Sequence, residues 1–203
     1  MRFEAHDLAC VRGGRPVFAR LDFALAPGDA LWLRGPNGAG KSSLLLILAG
    51  LLPPAAGILR WEGTPVDPRS PEFRARFHFV GHRDGATAAL TVRENLAFQA
   101  ALVGGAGDVE TALAAFDLAP LAERPARHLS SGQRRRLALA RLLLTPRPLW
   151  LLDEPGVGLD ASSRARLEAL LRDHRAAGGI CIVASHGDVA LDDPLVLDFG
   201  AAA

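Results

Sequence analysis

Gly35-Pro36-Asn37-Gly38-Ala39-Gly40-Lys41-Ser42 is the stretch on which the reading of the fold turns. It follows an apolar run at residues 30–33 and opens an apolar segment at 41–52, so the order is strand, glycine-rich turn, helix. Small residues let the main chain curl around a phosphate with successive N–H groups pointing inward, and the helix start adds its own unpaired donors. Lys41 is placed to reach the β- and γ-phosphates, and the Ser42 hydroxyl to ligate Mg²⁺. The complete pattern in this context predicts a nucleoside triphosphate site; by itself it does not say which machine the site serves.

Working outward, residues 77–81, 148–152 and 180–185 are short apolar runs of the kind that make strands buried on both faces. With the strand at 30–33 and a turn at Gly28-Asp29, they predict an α/β fold: a P-loop NTPase core with a mostly parallel sheet. Between about residues 85 and 146 the character changes. Segments 90–99, 109–116 and 133–144 carry helical spacing without an intervening strand, which predicts a helical subdomain inserted into a single domain spanning 1–203. The closing Ala201-Ala202-Ala203 reads as a frayed end, with no further domain expected.

Composition narrows the classes. The chain has 203 residues, 49% hydrophobic and 22% charged, enough for one buried core. A net charge of +1 gives no global reason to expect nucleic acid or an anionic membrane surface as partner. Cys10 and Cys181 each sit among apolar residues, as buried free thiols in a reducing compartment do. The first residues lack the apolar stretch of a signal peptide. The longest apolar run, residues 44–59, is broken by Gly50, Pro53, Pro54 and Gly57, so any membrane part is expected to come from another chain.

A second piece of chemistry lies at Leu149-Trp150-Leu151-Leu152-Asp153-Glu154, an apolar strand ending in two carboxylates. An isolated Asp-Glu after a strand is usually a solvated loop. Downstream of a phosphate cradle it is more, because the cradle needs a second acid near Mg²⁺. Asp153 is expected to hold that metal, and Glu154, one residue on, to polarise the attacking water as general base. One carboxylate for metal and one for water describe hydrolysis rather than transfer.

Between these motifs stands Leu129-Ser130-Ser131-Gly132-Gln133, directly before a basic, then apolar helix. It resembles the L-S-G-G-Q signature of ABC ATPases, with Ser131 in place of the first glycine and Gly132 retained. Gly158-Leu159-Asp160 is similar to the family's dimer-interface loop, and Ser185-His186 to its switch histidine, which senses the γ-phosphate. The resemblance covers nearly the whole chain. It implies that residues 130–133 close over ATP held by a second copy, so the working unit is a homodimer. Arg134, Arg135 and Arg136 could suggest a nucleic-acid patch, but a solvated helix face is the stronger reading, and no nucleic acid partner is expected.

Two departures from the family pattern stand out. Arg12 occupies the place of an adenine-stacking aromatic, and its planar guanidinium can stack on a base. His82 replaces the glutamine that links Mg²⁺ to the membrane partner. Several features together resemble the ATP-binding subunits of the haem exporter of cytochrome c maturation. They are the Leu-Ala-Cys opening, the Gly-His-Arg-Asp-Gly segment with residues 90–96, and Leu-Ser-Ser-Gly-Gln-Arg-Arg-Arg. That resemblance implies ATP and Mg²⁺ as ligands and integral membrane subunits as partners. It also implies a peripheral position on the cytoplasmic face of the bacterial inner membrane. An ABC ATPase with another cargo is the alternative. A soluble ABC ATPase of DNA repair or translation fits less well, since no long coiled coil and no second nucleotide site is present.

Overall fold

The computed structural model describes residues 1–102, 104 and 107–200. In chain order the elements are β1 (Phe3–Arg12), β2 (Arg15–Leu25), β3 (Ala30–Arg34), α1 (Lys41–Leu48), β4 (Ala56–Trp61) and β5 (Thr64–Val66). They continue with α2 (Pro71–Arg74), β6 (Phe77–Val80), α3 (Val92–Leu102), α4 (Val109–Ala115) and α5 (Ser131–Ala140). β7 (Leu149–Asp153), α6 (Ala161–Ala176), β8 (Ile180–Ala184) and β9 (Leu195–Asp198) complete the chain.

The central sheet has the order β6-β7-β8-β3-β9, and all four of its pairings are parallel. Every residue of β7 and β8 is buried, which is why both read as continuous apolar runs rather than alternating ones. Strand side chains point alternately to opposite faces. Leu149, Leu151, Ile180 and Ile182 therefore enter one core with α1 and the N-terminal strands. Trp150, Leu152, Cys181 and Val183 enter a second core with α3, α4 and α5. The sheet is the wall between an upper and a lower apolar cluster, and Cys10 and Cys181 are free, buried members of them.

The structure extends the sequence expectation in one respect: a separate four-stranded antiparallel sheet, order β2-β1-β4-β5, precedes and overlaps the parallel core. Two short turns build it. Arg12 pairs with Arg15 across Gly13-Gly14, and Trp61 with Thr64 across Glu62-Gly63. All four turn residues have positive φ, the geometry that matches the twist of a tight hairpin.

Several boundaries differ from expectation for local reasons. The first helix stops at Leu48 rather than Leu52, because Gly50 takes φ 68° and Leu51 N–H bonds back to the Leu46 carbonyl. The segment expected to be helical at 133–144 is α5 followed by a tighter 3₁₀ turn at Arg141–Leu143. Between β6 and β7 the described residues form helices and turns and no named strand. The terminal alanines 201–203 lie outside the described residues.

Candidate functional site

Parallel order explains why distant motifs meet. β6, β7, β8 and β3 lie side by side, so the segments leaving their C-terminal ends emerge along one edge. That edge is where open parallel sheets hold ligands. His82 follows β6, Asp153 ends β7 with Glu154 directly after it, His186 follows β8, and the cradle follows β3. His82, Asp153, Glu154, His186 and residues 37–42 of the cradle line a single cleft of about 610 Å³, together with Arg12 at the end of β1, while Gly35 and Pro36 line a neighbouring pocket that shares His186.

Within the cleft the cradle leads directly into α1, whose N-cap is Gly40 with φ 117°. A side chain there would lie 2.7 Å from Val17 Cγ1, so both the backbone angle and β2 packing demand glycine. Lys41 is buried, and its Nζ donates to the carbonyls of Gly35 (2.7 Å) and Pro36 (3.1 Å). The ammonium is thus folded back over its own loop. Ser42 Oγ donates to Asp153 Oδ1 at 3.0 Å across 111 positions of sequence. Asp153 itself is 5% exposed.

Glu154 departs from the strand that carries it. Its φ is 48°, in the left-handed region that costs a non-glycine residue conformational energy. Its N–H bonds to the Ala184 carbonyl at 2.8 Å, tying the acidic end of β7 to the end of β8. Glu154 Oε1 lies 3.5 Å from His186 Nε2, and that nitrogen is also 2.7 Å from Asn37 Oδ1. Glu154 Oε2 is buried without a hydrogen-bond partner. Burial pushes the Glu154 carboxyl above the usual range; His186 and Lys41 oppose that, while Asp188 and Asp153 reinforce it.

Residues 130–133 and Asp160, expected at the nucleotide from the resemblance, do not line this cleft in their own chain. Ser130 and Gln133 instead satisfy each other: Ser130 Oγ accepts from Gln133 N–H, and Gln133 Oε1 accepts from Ser130 N–H. This capping box starts α5, and the S-x-x-Q spacing could have announced it. Asp160 caps α6, accepting from Ser163 N–H and Ser162 Oγ, and those bonds hold its carboxyl down at about 2.

The expectation of a solvated arginine face fails for the residues after the signature. Arg135 is 5% exposed, Arg134 and Arg136 are half-buried, and all three donate to backbone carbonyls. The helix start is packed inward because Gly132 sits against the loop after Glu154. A Cβ at Gly132 would lie 2.6 Å from the Gly158 carbonyl oxygen. No run or motif in the sequence distinguishes the buried arginine from its neighbours. Only the three-dimensional position of the helix does.

The family model for ABC transporters matches residues 18–157. The chain is 54% identical to the cytochrome c biogenesis ATP-binding export protein CcmA of Rhodospirillum rubrum, over 96% of this chain and 84% of that protein. Against the protein of the same name from Rhodopseudomonas palustris it is 47% identical, over 94% of each. Among solved structures, a Pyrococcus furiosus protein described as an ABC transporter ATP-binding protein superposes with a TM-score of 0.84, at 24% identity, covering 98% of both chains. An ATP-binding subunit of an ABC transporter superposes with a TM-score of 0.80 at 25% identity, covering 92% of this chain and 80% of that one. With a cleft built from these motifs and likeness running through nearly its full length, the chain belongs to the ABC transporter family and, within it, to the cytochrome c biogenesis ATP-binding export proteins.

Proposed function

We propose that the chain hydrolyses ATP as one of two identical subunits, and that hydrolysis drives the haem exporter of cytochrome c biogenesis through integral membrane subunits. The observation that carries the chemistry is the meeting of four strand ends on one cleft, with Glu154 Oε1 3.5 Å from His186 and Ser42 bonded to Asp153. The names of these relatives support cytochrome c biogenesis and export. Haem as the cargo rests on the sequence resemblance.

In this reading the N–H groups at residues 38–41 and the Lys41 ammonium hold the β- and γ-phosphates. Arg12 lies under the base, in the same cleft as the cradle. A hydroxyl and a carboxylate, Ser42 and Asp153, are hard oxygen donors already in contact, a set that fits Mg²⁺ with most of its shell supplied by water and phosphate. When bound, Mg²⁺ neutralises charge developing on the phosphate oxygens. His82 offers nitrogen, which Mg²⁺ does not favour, so it acts through water. Glu154 takes the proton as water oxygen bonds to the γ-phosphorus; the β–γ bridging bond breaks, leaving ADP and inorganic phosphate. Its raised proton affinity suits that task.

The second copy is needed because residues 130–133 do not line their own chain's cleft. The Ser130 hydroxyl and the N–H groups at the α5 N-terminus would complete the γ-phosphate site of the partner. The membrane partner is assigned to the junction where β6 runs into α3, residues 82–96, with residues 85–146 acting as a helical subdomain. No described helix is long and apolar enough to cross a membrane. The decisive experiment is purification of the tagged chain from membranes and identification of what comes with it. Recovery of an integral subunit whose deletion blocks cytochrome c assembly supports the reading; recovery of an unrelated transporter overturns the cargo.

A further inference from the structure

We infer that Arg135 is a positioning residue for hydrolysis: its guanidinium locks the start of α5 to the backbone that carries the acidic pair, so the seat of the signature helix sets the aim of Glu154. The inference deepens the proposed reaction and rests on Glu154 being its base.

The bonding pattern is unusual for a buried cation. Arg135 has no carboxylate in close contact; Asp84 Oδ1 is 3.8 Å from Nη1. It spends its donors on main-chain oxygens instead. Nη2 donates to Asp153 (2.5 Å) and Glu154 (2.7 Å), Nε to Pro155 (3.3 Å), and Nη1 to Gly81 (2.8 Å). A charge taken out of water is tolerated only when such partners replace the solvent. Here they come from two segments at once, the end of β7 and the residue immediately before His82, so Arg135 ties both to α5.

Glu154 is the residue in this group whose backbone most needs holding. At φ 48° it is in a conformation that persists only where its surroundings over-determine it. One side of the residue is fixed by its N–H to Ala184 on β8, the other by its carbonyl to Arg135 on α5. Moving α5 therefore pulls on the carbonyls of both carboxylate-bearing residues. A planar fork can fan across four carbonyls, whereas the single ammonium of lysine cannot.

The test compares Arg135→Lys, Arg135→Met and Glu154→Gln in the full chain, with kcat and KM for ATP normalised to sites that bind nucleotide. Arg135→Lys should lower kcat by about 10- to 100-fold, the scale of a small misplacement of a reacting group, with KM within about twofold of the parent. Arg135→Met should be no better. A merely structural arginine would instead lower the melting temperature and the number of competent sites, with kcat per site unchanged; that result, or parent-like kcat in folded Arg135→Lys, overturns the inference. If Glu154→Gln still hydrolyses ATP, the reaction reading itself fails, which is a separate outcome. Should neither arginine variant fold, hydrogen exchange of the parent decides. A Mg²⁺-bound non-hydrolysable ATP analogue should change protection at residues 131–136 and 154–158 together, and a change confined to one segment overturns it.

Discussion

His186 Nε2 lies 3.5 Å from Glu154 Oε1, yet the two residues leave different strands, β8 and β7. The same nitrogen is 2.7 Å from Asn37 Oδ1 in the phosphate cradle. A ring N–H facing two oxygens makes His186 a bridge between the loop that binds phosphate and the carboxylate that would activate water. Parallel pairing of β7 with β8, and of β8 with β3, is what brings the three together. In the proposed reaction, a shift in the position of the γ-phosphate would reach the base through a single imidazole.

From that relationship, Glu154→Gln should bind ATP as the parent does and lose at least ~10²-fold in turnover, the usual scale for a general base. Glutamine keeps the shape and can still accept from His186. ATP should then trap a dimer visible by size-exclusion chromatography. Lys41→Ala should instead weaken triphosphate binding, since it removes the cation folded over the cradle. A monomeric, ATP-loaded Glu154→Gln chain would remove the case for a shared site.

Much of this site was legible because its chemistry is carried by contiguous motifs. The cradle, the acidic pair and Ser185-His186 each sit at the end of a strand whose apolar run announced it. The antiparallel sheet was not read, although Gly13-Gly14 and Glu62-Gly63 are two-residue hairpin signals. Its strands are half-exposed and bulged, so their alternation is interrupted. α6 was missed too, despite Asp160 as cap and Leu167 and Leu171 buried one turn apart. Arg135 was beyond the sequence altogether. A charged residue between two other arginines carries no sign of burial, and the carbonyls it serves lie as far away as Gly81.

The join of β6 to α3 is tightly organised where it enters the helix. Thr91 and Glu94 cap α3 reciprocally, and buried Asn95 bonds to the main chain of Thr87, Leu90 and Thr91. Arg83 stands exposed just before this knot. Arg83→Glu should release the chain from membranes that hold its partner, while ATPase activity of the isolated chain stays within about twofold of the parent, since Arg83 does not line the cleft. Continued membrane association alongside collapsed hydrolysis would place the docking surface elsewhere.

The signature tolerates Ser131 but should not tolerate a change at Gly132. Ser131 is exposed, whereas a methyl on Gly132 would lie 2.6 Å from the Gly158 oxygen, a backbone atom that cannot rotate away. Gly132→Ala should cost about 1–3 kcal/mol, as overpacking does elsewhere, and move the loop after Glu154. Ser131→Gly should stay near the parent in both stability and turnover. Urea denaturation and ATPase assays on the two variants check this. Equal behaviour of the pair would mean that the contact relaxes without consequence.

Acid should destabilise the fold in a window set by a histidine far from the cleft. His78 on β6 is half-buried, with Nε2 bonded to the Thr145 carbonyl at 2.8 Å. Burial pushes its pKa down from 6.5 to about 4; the Thr145 bond opposes this, and Arg147, Arg141 and His174 add to it. His174, stacked on Trp150 at 3.9 Å, is also shifted down by burial. A base whose folded pKa is depressed binds protons more readily when unfolded. The contribution of His78 is thus fully present above its unfolded value and is lost as pH falls from about 6.5 towards about 4. The loss should reach about 2 kcal/mol between pH 7.5 and pH 5. Asp160, held at about 2, yields its share only at lower pH, so it leaves this window clear. His78→Gln keeps a donor for Thr145 but takes up no proton. Its urea midpoint should fall less between those two pH values than that of the parent, with His174, pushed down by burial, contributing to the residual drop. Parallel falls in parent and variant would show that His78 is protonated in the folded chain at little cost.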